Sequence, residues 1–563
     1  MAEYLSPGVY VEEYDNSPRS IEGVGTSAAG FIGFAEKGPV EGEPSLVTNF
    51  KSFTRQFGGF LSEFTHGEYR YLANSVEQFF INGGTRCYVA RVLPPDAKTA
   101  SAKRGILQVE AANPGKWGNR IQLFLQTVKK KKLQLLKKNG DAYVAKSLDG
   151  FREGDLVEYA GTCNRIASIF DHEVTFEAEF PESVVDDSLV PKAVVHLVTF
   201  DISVRYNDEV ENYSELSFNT GSPNYIASRM AGSELVKVTA ETMEEPGNPV
   251  SAVLGEAVTD GMFTLEGGDD GSMGQVTAGT FIGEDKGPGK RTGIQAFLEN
   301  NVVSLMAIPG VTAPEVMVAL VNHCENLKSR FAVLDMPKDM YKTNDLIGHR
   351  NIIDSSYAAM YHPWIQVYDR SSNKSDFVPP SGAVLGVYSR TDVSRGVHKA
   401  PANETIFCTG LKVNYTKGEQ DVLNPEGINL IRSFPGQGIR VWGARTAGSN
   451  SAFKYVNVRR LFIYVEESIK ANTNWVVFEP NDATLWQRVN LTISSFLDSM
   501  WRNGMLAGTA ASEAYFVEIG TSTMTRDDIM NGRLICNIGI APSRPAEFVV
   551  FRITQHTSEA AEG

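Results

Sequence analysis

The feature that most constrains the fold of this 563-residue chain is a change of rhythm in its interior. Ala28-Ala29-Gly30-Phe31-Ile32-Gly33-Phe34-Ala35 reads as a buried strand, Tyr69 to Phe80 as a helix stopped by Asn82-Gly83-Gly84, and Cys87 to Val92 as a returning strand. That β-α-β order favours an α/β core with a helix-covered sheet. From about residue 127 to 200 the pattern becomes one of short alternating strands, with repeated Gly turns and an Asn139-Gly140 hairpin signal. The α/β rhythm then resumes near Met262 and runs through Val302 to Ile308, a helix over Pro314 to Ser329 and a strand over Phe331 to Leu334. One domain interrupts another. Length agrees, because single cores rarely grow past roughly 250 to 300 residues.

The final third, from about Asn424, carries apolar runs read as strands at Leu461 to Val465 and Trp475 to Phe478, then a helix from Asp482 to Asn503. In that helix Leu485, Val489, Ile493, Phe496, Leu497 and Met500 recur at helical spacing, whereas Arg488, Asp498 and Arg502 fall elsewhere. Asn481 or Asp482 can cap its start and Gly504 its end. The two termini resemble each other. Gly8 to Tyr14 has β-branched and aromatic residues at strand spacing before a breaker at Asn16-Ser17-Pro18, and Glu547 to Thr554 reads as a strand preceded by Ala541-Pro542-Ser543-Arg544-Pro545.

A formal net charge of −14 argues against nucleic acid as a partner, since phosphate binding needs a clustered basic surface. The five cysteines are scattered and form no CxxC pair, so the sequence suggests neither a disulfide framework nor a metal site and fits a reducing cytoplasm. The N-terminus has no basic stretch followed by an apolar core, and no run of 18 apolar residues occurs, so neither a signal peptide nor membrane insertion is expected. The segment Gly283 to Arg291 comes nearest to a phosphate loop, but its first Gly is one position too far away and Arg291 stands where a metal-binding Ser or Thr belongs. There is no G-x-S-x-G elbow and no H-E-x-x-H helix. His323 and His362 read as packed or surface histidines rather than as catalytic bases. No catalytic, cofactor or metal site is therefore expected. The run Lys129 to Lys132, with Lys137-Lys138, reads as a solvated hairpin, contact with an anionic surface being the weaker alternative.

Ordered blocks along the chain resemble the contractile tail sheath family nearly end to end. They are Ser6-Pro7-Gly8-Val9-Tyr10-Val11-Glu12-Glu13, Gly25 to Gly33, Phe79-Phe80-Ile81-Asn82-Gly83-Gly84, Trp117-Gly118-Asn119, Pro379-Pro380-Ser381-Gly382 and Arg395 to Asn403. Leu423 to Asn429, Val441 to Thr446, Tyr455 to Arg460, Phe478-Glu479-Pro480-Asn481 and Pro545-Ala546-Glu547-Phe548 complete the series. Only about 128 to 200 looks unlike a shared sheath core.

The resemblance implies a mixed α/β (α+β) multidomain fold with a helix-flanked mixed sheet, an inserted all-β domain and extended terminal strand arms. The expected parts are an N-terminal linking arm over 1–20, a sheath core over 21–100 and 425–540, and an outer insertion over 101–260 that holds the β segment. A subtilisin-like α/β domain over 261–424 and a C-terminal arm and tail over 541–563 complete them. Subunits of this family stack as rings into a helical sleeve around an inner tube, and their arms add strands to a sheet in neighbours. By resemblance Val9, Tyr10, Val11, Phe548, Val549, Val550, Phe551 and Ile553 are the linking residues. Pro18, Pro542 and Pro545 are the hinges, and Arg488 and Arg502 face the tube, with core packing the rival reading of their helix. The implied partners are other copies of the chain, the inner tube, and baseplate and terminator or cap proteins, without nucleic acid or direct membrane insertion. Assembly in the bacterial cytoplasm into a phage tail or injection particle follows, with no enzymatic activity. An α/β hydrolase is the alternative.

Overall fold

The structure, a computed structural model, describes residues 21–180, 193–255, 258–369 and 373–550. Its centre is a nine-stranded sheet in the order Ser45–Val47, Cys87–Arg91, Ala29–Gly33, Leu305–Ala307, Phe331–Asp335, Ala358–His362, Ile428–Phe434, Gly438–Val441 and Glu404–Thr405. The six strands from Cys87–Arg91 to Ile428–Phe434 run parallel. They come from 21–100, 261–424 and 425–540 alike, so one sheet joins those three stretches. Every residue of Ala29–Gly33, Phe331–Asp335 and Ala358–His362 is buried, as continuous apolar strands must be when helices cover both faces.

Alternation decides which helix each strand residue meets. Phe31, Phe331 and Val333 join the core of helices α1 (Leu72–Ile81) and α3 (Ser381–Arg395), whereas Ile32, Ala332 and Leu334 join that of α2 (Pro314–Leu327). Helices α1 and α3 lie backbone to backbone. A Cβ on Gly382 would stand 2.2 Å from the Ser75 carbonyl oxygen, so only glycine fits there.

The interruption is a β insertion between Cys87–Arg91 and Leu305–Ala307. A four-stranded antiparallel sheet (Glu209–Leu216, Thr199–Tyr206, Gln122–Val128, Asp260–Thr264) carries a closed six-stranded barrel built from Lys132–Asn139, Ala142–Ala145, Leu156–Tyr159, Thr162–Phe170, Glu173–Phe176 and Val194–Leu197. The barrel packs around Leu133, Leu135, Val157, Ile166, Val174 and Val195, and its first hairpin turns through Gly140 at φ 62°. Met262 pairs with Phe124 inside this insertion, so the α/β rhythm resumes later than the sequence implied. Two of the lysines are partly neutralised, Lys129 by Glu158 (2.5 Å) and Lys130 by Glu215 (3.4 Å). Arg91, fully buried, fastens insertion to core by donating to the carbonyls of Ala35, Glu36, Gly38 and Pro114.

The C-terminal part corrects two expectations. Leu461 to Val465 lies inside helix α4 (Val456–Asn472), not in a strand. Leu461, Ile463 and Val465 fit a period of two, but Val458, Leu461 and Val465 also fit one helix face, and burial on that face wins. Trp475 to Phe478 is likewise no strand. A 3-10 turn covers Asn474–Val476, and Phe478 follows at φ 67°, fully exposed. Helix α5 (Ala483–Arg502) behaves as its spacing predicts: Asp482 Oδ1 accepts from the Leu485 N–H (2.9 Å), and Leu485, Val489, Ile493, Phe496, Leu497 and Met500 are buried. A two-stranded antiparallel hairpin, Tyr515–Ile519 with Cys536–Ile540, rests on this core.

Candidate assembly site

The last described residues run from this hairpin over the surface of the core, and they divide sharply into a tied part and a bare part. Ala541 donates to the Ala514 carbonyl and accepts from the Ala507 N–H, both at 2.8 Å, and Pro542 bridges to Leu506. The Ser543 carbonyl accepts from Asn457 Nδ2 at 3.1 Å. Pro542 and Pro545 thus sit between tethers that end at Glu547.

At Glu547 side chains from three distant positions converge. Arg445 grips the carboxylate with two parallel bonds, Nε to Oε1 and Nη2 to Oε2, both 2.8 Å. Asn424 Nδ2 donates to Oε1 (2.7 Å) and the Tyr455 hydroxyl to Oε2 (2.9 Å). Arg–carboxylate forks of this kind add geometric specificity to charge-assisted strength. Partial burial pushes the Glu547 carboxyl upward, but the hydrogen bonds from Arg445, Asn424 and Tyr455 outweigh it and bring the carboxyl down to about 2.

Beyond the latch the remaining described residues are bare. Phe548, Val549 and Val550 are 74%, 68% and 77% exposed. The strand expected from Glu547 onward forms no ladder over its described part, Glu547 to Val550. Phe548 and Val549 border a groove of about 700 Å³ whose other walls include Phe434 and Trp442, with ring centroids 4.4 Å apart. Val9, Tyr10, Val11, Pro18, Phe551 and Ile553 lie outside the described residues.

Helix α5 turns an exposed stripe of Gln487, Arg488, Leu491, Ser495 and Arg502 away from its buried face. The Arg488 guanidinium stacks 4.9 Å from the Trp475 ring, and Arg502 pairs with Asp498 one turn away at 2.8 Å. Both arginines lie on the face of α5 opposite its buried residues.

The family model described as the phage tail sheath protein central domain matches residues 286–447, and that of the phage tail sheath C-terminal domain matches 448–556, without a gap between them. Residues 286–556 of this chain belong to the phage tail sheath family. A putative prophage major tail sheath protein of Pseudomonas aeruginosa is 24% identical over 50% of this chain and 73% of its own length. The tail sheath protein of Escherichia phage P2 is 23% identical over 55% of this chain and 78% of its own. In shape this chain resembles the sheath of an extracellular contractile injection system, PVC, solved in its contracted state. The TM-score is 0.54 at 21% identity, over 99% of this chain and 100% of that one. The curated relatives carry sheath names and lend nothing to the hydrolase alternative.

The other sites weighed from sequence are accounted for inside the sheath fold. Arg291 in the Gly-rich loop, where a metal-binding Ser or Thr would stand, pairs with Asp285 (2.8 Å) and Glu299. His323 Nε2 lies 2.7 Å from Arg330 Nη1 and His362 Nε2 2.9 Å from the Tyr415 hydroxyl, both inside packed surroundings. Every member of the Glu547 latch lies in a block that carried the family resemblance, yet none stood out as functional. The available signal was a lone carboxylate opening an otherwise apolar arm.

Proposed function

We propose that this chain is the sheath subunit of a contractile phage tail or injection particle: copies stack as rings into a helical sleeve around an inner tube, and contraction of the sleeve drives the tube through a target envelope. The bare apolar run Phe548–Val550, held at its root by Glu547, is the observation that carries this reading. A strand with unpaired backbone templates association with another chain. In a sheath subunit that association is the function. An arm of about ten residues extends roughly 33 Å, enough to cross an interface. Main-chain hydrogen bonds then hold the lent strand while alternate side chains fill pockets.

Val9, Tyr10 and Val11 of one arm and Phe548, Val549, Val550, Phe551 and Ile553 of the other are the linking residues in this account. Their receiver is the hairpin Tyr515–Ile519 with Cys536–Ile540, because two strands alone are marginal in water. Arg488 and Arg502 face the tube, the β insertion faces outward, and baseplate and terminator or cap proteins close the ends. Pro18, Pro542 and Pro545 take up rotation while packed bodies move rigidly. The subunit does this without catalysis, assembling in the cytoplasm before release. The stored energy belongs to the metastable extended sleeve: if contraction buried ~400 Å² more apolar surface per subunit, it would release up to ~10 kcal/mol per copy. Electron microscopy of the purified protein tests the proposal. Sleeves or rings are expected, and a monomer under all assembly conditions refutes it.

A further inference from the structure

Helix α4 touches the roots of both arms. At its start Tyr455, the residue that precedes its first turn, donates to Glu547 Oε2, and Asn457 donates to the Ser543 carbonyl. Farther along, Arg460 donates to the Thr26 carbonyl (2.9 Å) and grips Asp392 through both nitrogens, Nη1 to Oδ1 at 2.9 Å and Nη2 to Oδ2 at 2.5 Å. Asp392 Oδ2 also accepts the Thr26 hydroxyl at 2.6 Å. This ion pair is shielded from solvent, with side chains 3% and 5% exposed, so removing one partner strands the other. Toward the end of the helix Ser468 Oγ accepts from the Val24 N–H (3.1 Å) and Asn472 donates to the Glu22 carbonyl (2.9 Å). The Tyr464 hydroxyl fills the space where a Cβ on Gly23 would stand.

We infer that α4 is the common mount of both linking arms, and that Asp392 and Glu547 are positioning residues that fix where the two lent strands leave the body. The helix has 17 residues and is therefore a single rod of about 25 Å. Displacement at one arm reaches the other along this rod, without crossing the nine-stranded sheet. The two latches then act in series, and opening either one breaks the path. The inference rests on the arms being links, as proposed above.

The test uses the full chain with Asp392→Asn, Glu547→Gln and the double variant. In unassembled protein, hydrogen exchange should rise about tenfold at Glu22–Thr26 in the first and at Ser543–Glu547 in the second, the size expected for losing a charge-assisted bond. Exchange in Phe331–Asp335 should stay unchanged, which certifies the fold. In assembly, each single variant should shorten mean sleeve length about tenfold, and the double should shorten it by no more than about a further twofold, the non-additivity of coupled sites. Multiplied effects in the double variant, or arm roots released in the exchange experiment without any change in sleeves, would overturn the inference. Should Asp392→Asn fail to fold, Ser468→Ala and Tyr455→Phe, each deleting one hydrogen bond, give the same comparison at smaller amplitude. Failure of the linking reading itself is distinguishable: a chain lacking residues 1–15 would then still form normal sleeves.

Discussion

The strand Ala358–His362 and the hairpin Tyr515–Ile519 with Cys536–Ile540 are both built from five-residue strands and stand in opposite situations. The first is paired on both edges and wholly buried between helix layers. The second has two strands, a half-buried pattern and Phe516 53% exposed. The first is complete within one chain. The second, with the bare Phe548–Val550 beyond it, has backbone bonds left to make, and the proposed function assigns those bonds to polymerisation. Stability and assembly should therefore respond to different residues.

The largest contrast comes from truncating a side chain in each region. Phe79→Ala, in the fully buried α1–α3 interface, should cost about 3–5 kcal/mol in urea melts, the range for emptied aromatic sites. Phe548→Ser and Val549→Ser together should leave the melt within about 0.5 kcal/mol, as exposed substitutions do, yet abolish sleeves in electron micrographs. A melt that moves as far as that of Phe79→Ala would erase the distinction between the regions.

Between these extremes lies the latch. Glu547→Gln should destabilise the arm root by roughly 1–3 kcal/mol, the cost of unpairing a charged hydrogen-bonded group. The regions should also separate by pH. In the core, burial first and then the Arg330 cation hold His323 down to about 3, and burial first and then Lys412 do the same for His362. Both are neutral in the fold and take protons more readily once unfolded, so stability should decline as pH falls from 6.5 toward 3. Glu547 has the depressed carboxyl of the pair-bonded case. Its contribution is complete above 4.5 and disappears as pH falls through about 2. Melts at pH 5 should already show the histidine loss, while protection of the amides at Ser543–Glu547, corrected for the intrinsic pH dependence of exchange, remains unchanged.

The smallest effect is expected at Arg502→Ala. This residue is 72% exposed and paired with Asp498 one turn away, worth about 0.3–0.5 kcal/mol. A stability change larger than that would assign the residue to packing, and weakened capture of purified tube protein at unchanged stability would place it on the tube.

What the sequence disclosed follows the same division. Fully buried strands such as Phe331–Asp335 leave unbroken apolar runs, and α5 leaves a 3.6-residue period with Asp482 before it, so both were legible. Helix α4 was misread because Leu461, Ile463 and Val465 satisfy a strand period as well as a helical one. The insertion reads as all-β, but its last strand, Asp260–Thr264, returns about 140 residues after its partner Gln122–Val128 begins, and local pattern carries no trace of such a closure. The Glu547 latch was illegible for the same reason: Asn424, Arg445 and Tyr455 lie 123, 102 and 92 positions away from it.

The central claim is that a neighbour completes the hairpin. A helical reconstruction of the assembled sleeve tests it most directly. The account predicts added strands on Tyr515–Ile519 and Cys536–Ile540, contributed by residues 9–11 and 548–553 of other copies. A sleeve in which the hairpin stays two-stranded, with residues 548–553 folded onto their own chain, would contradict it.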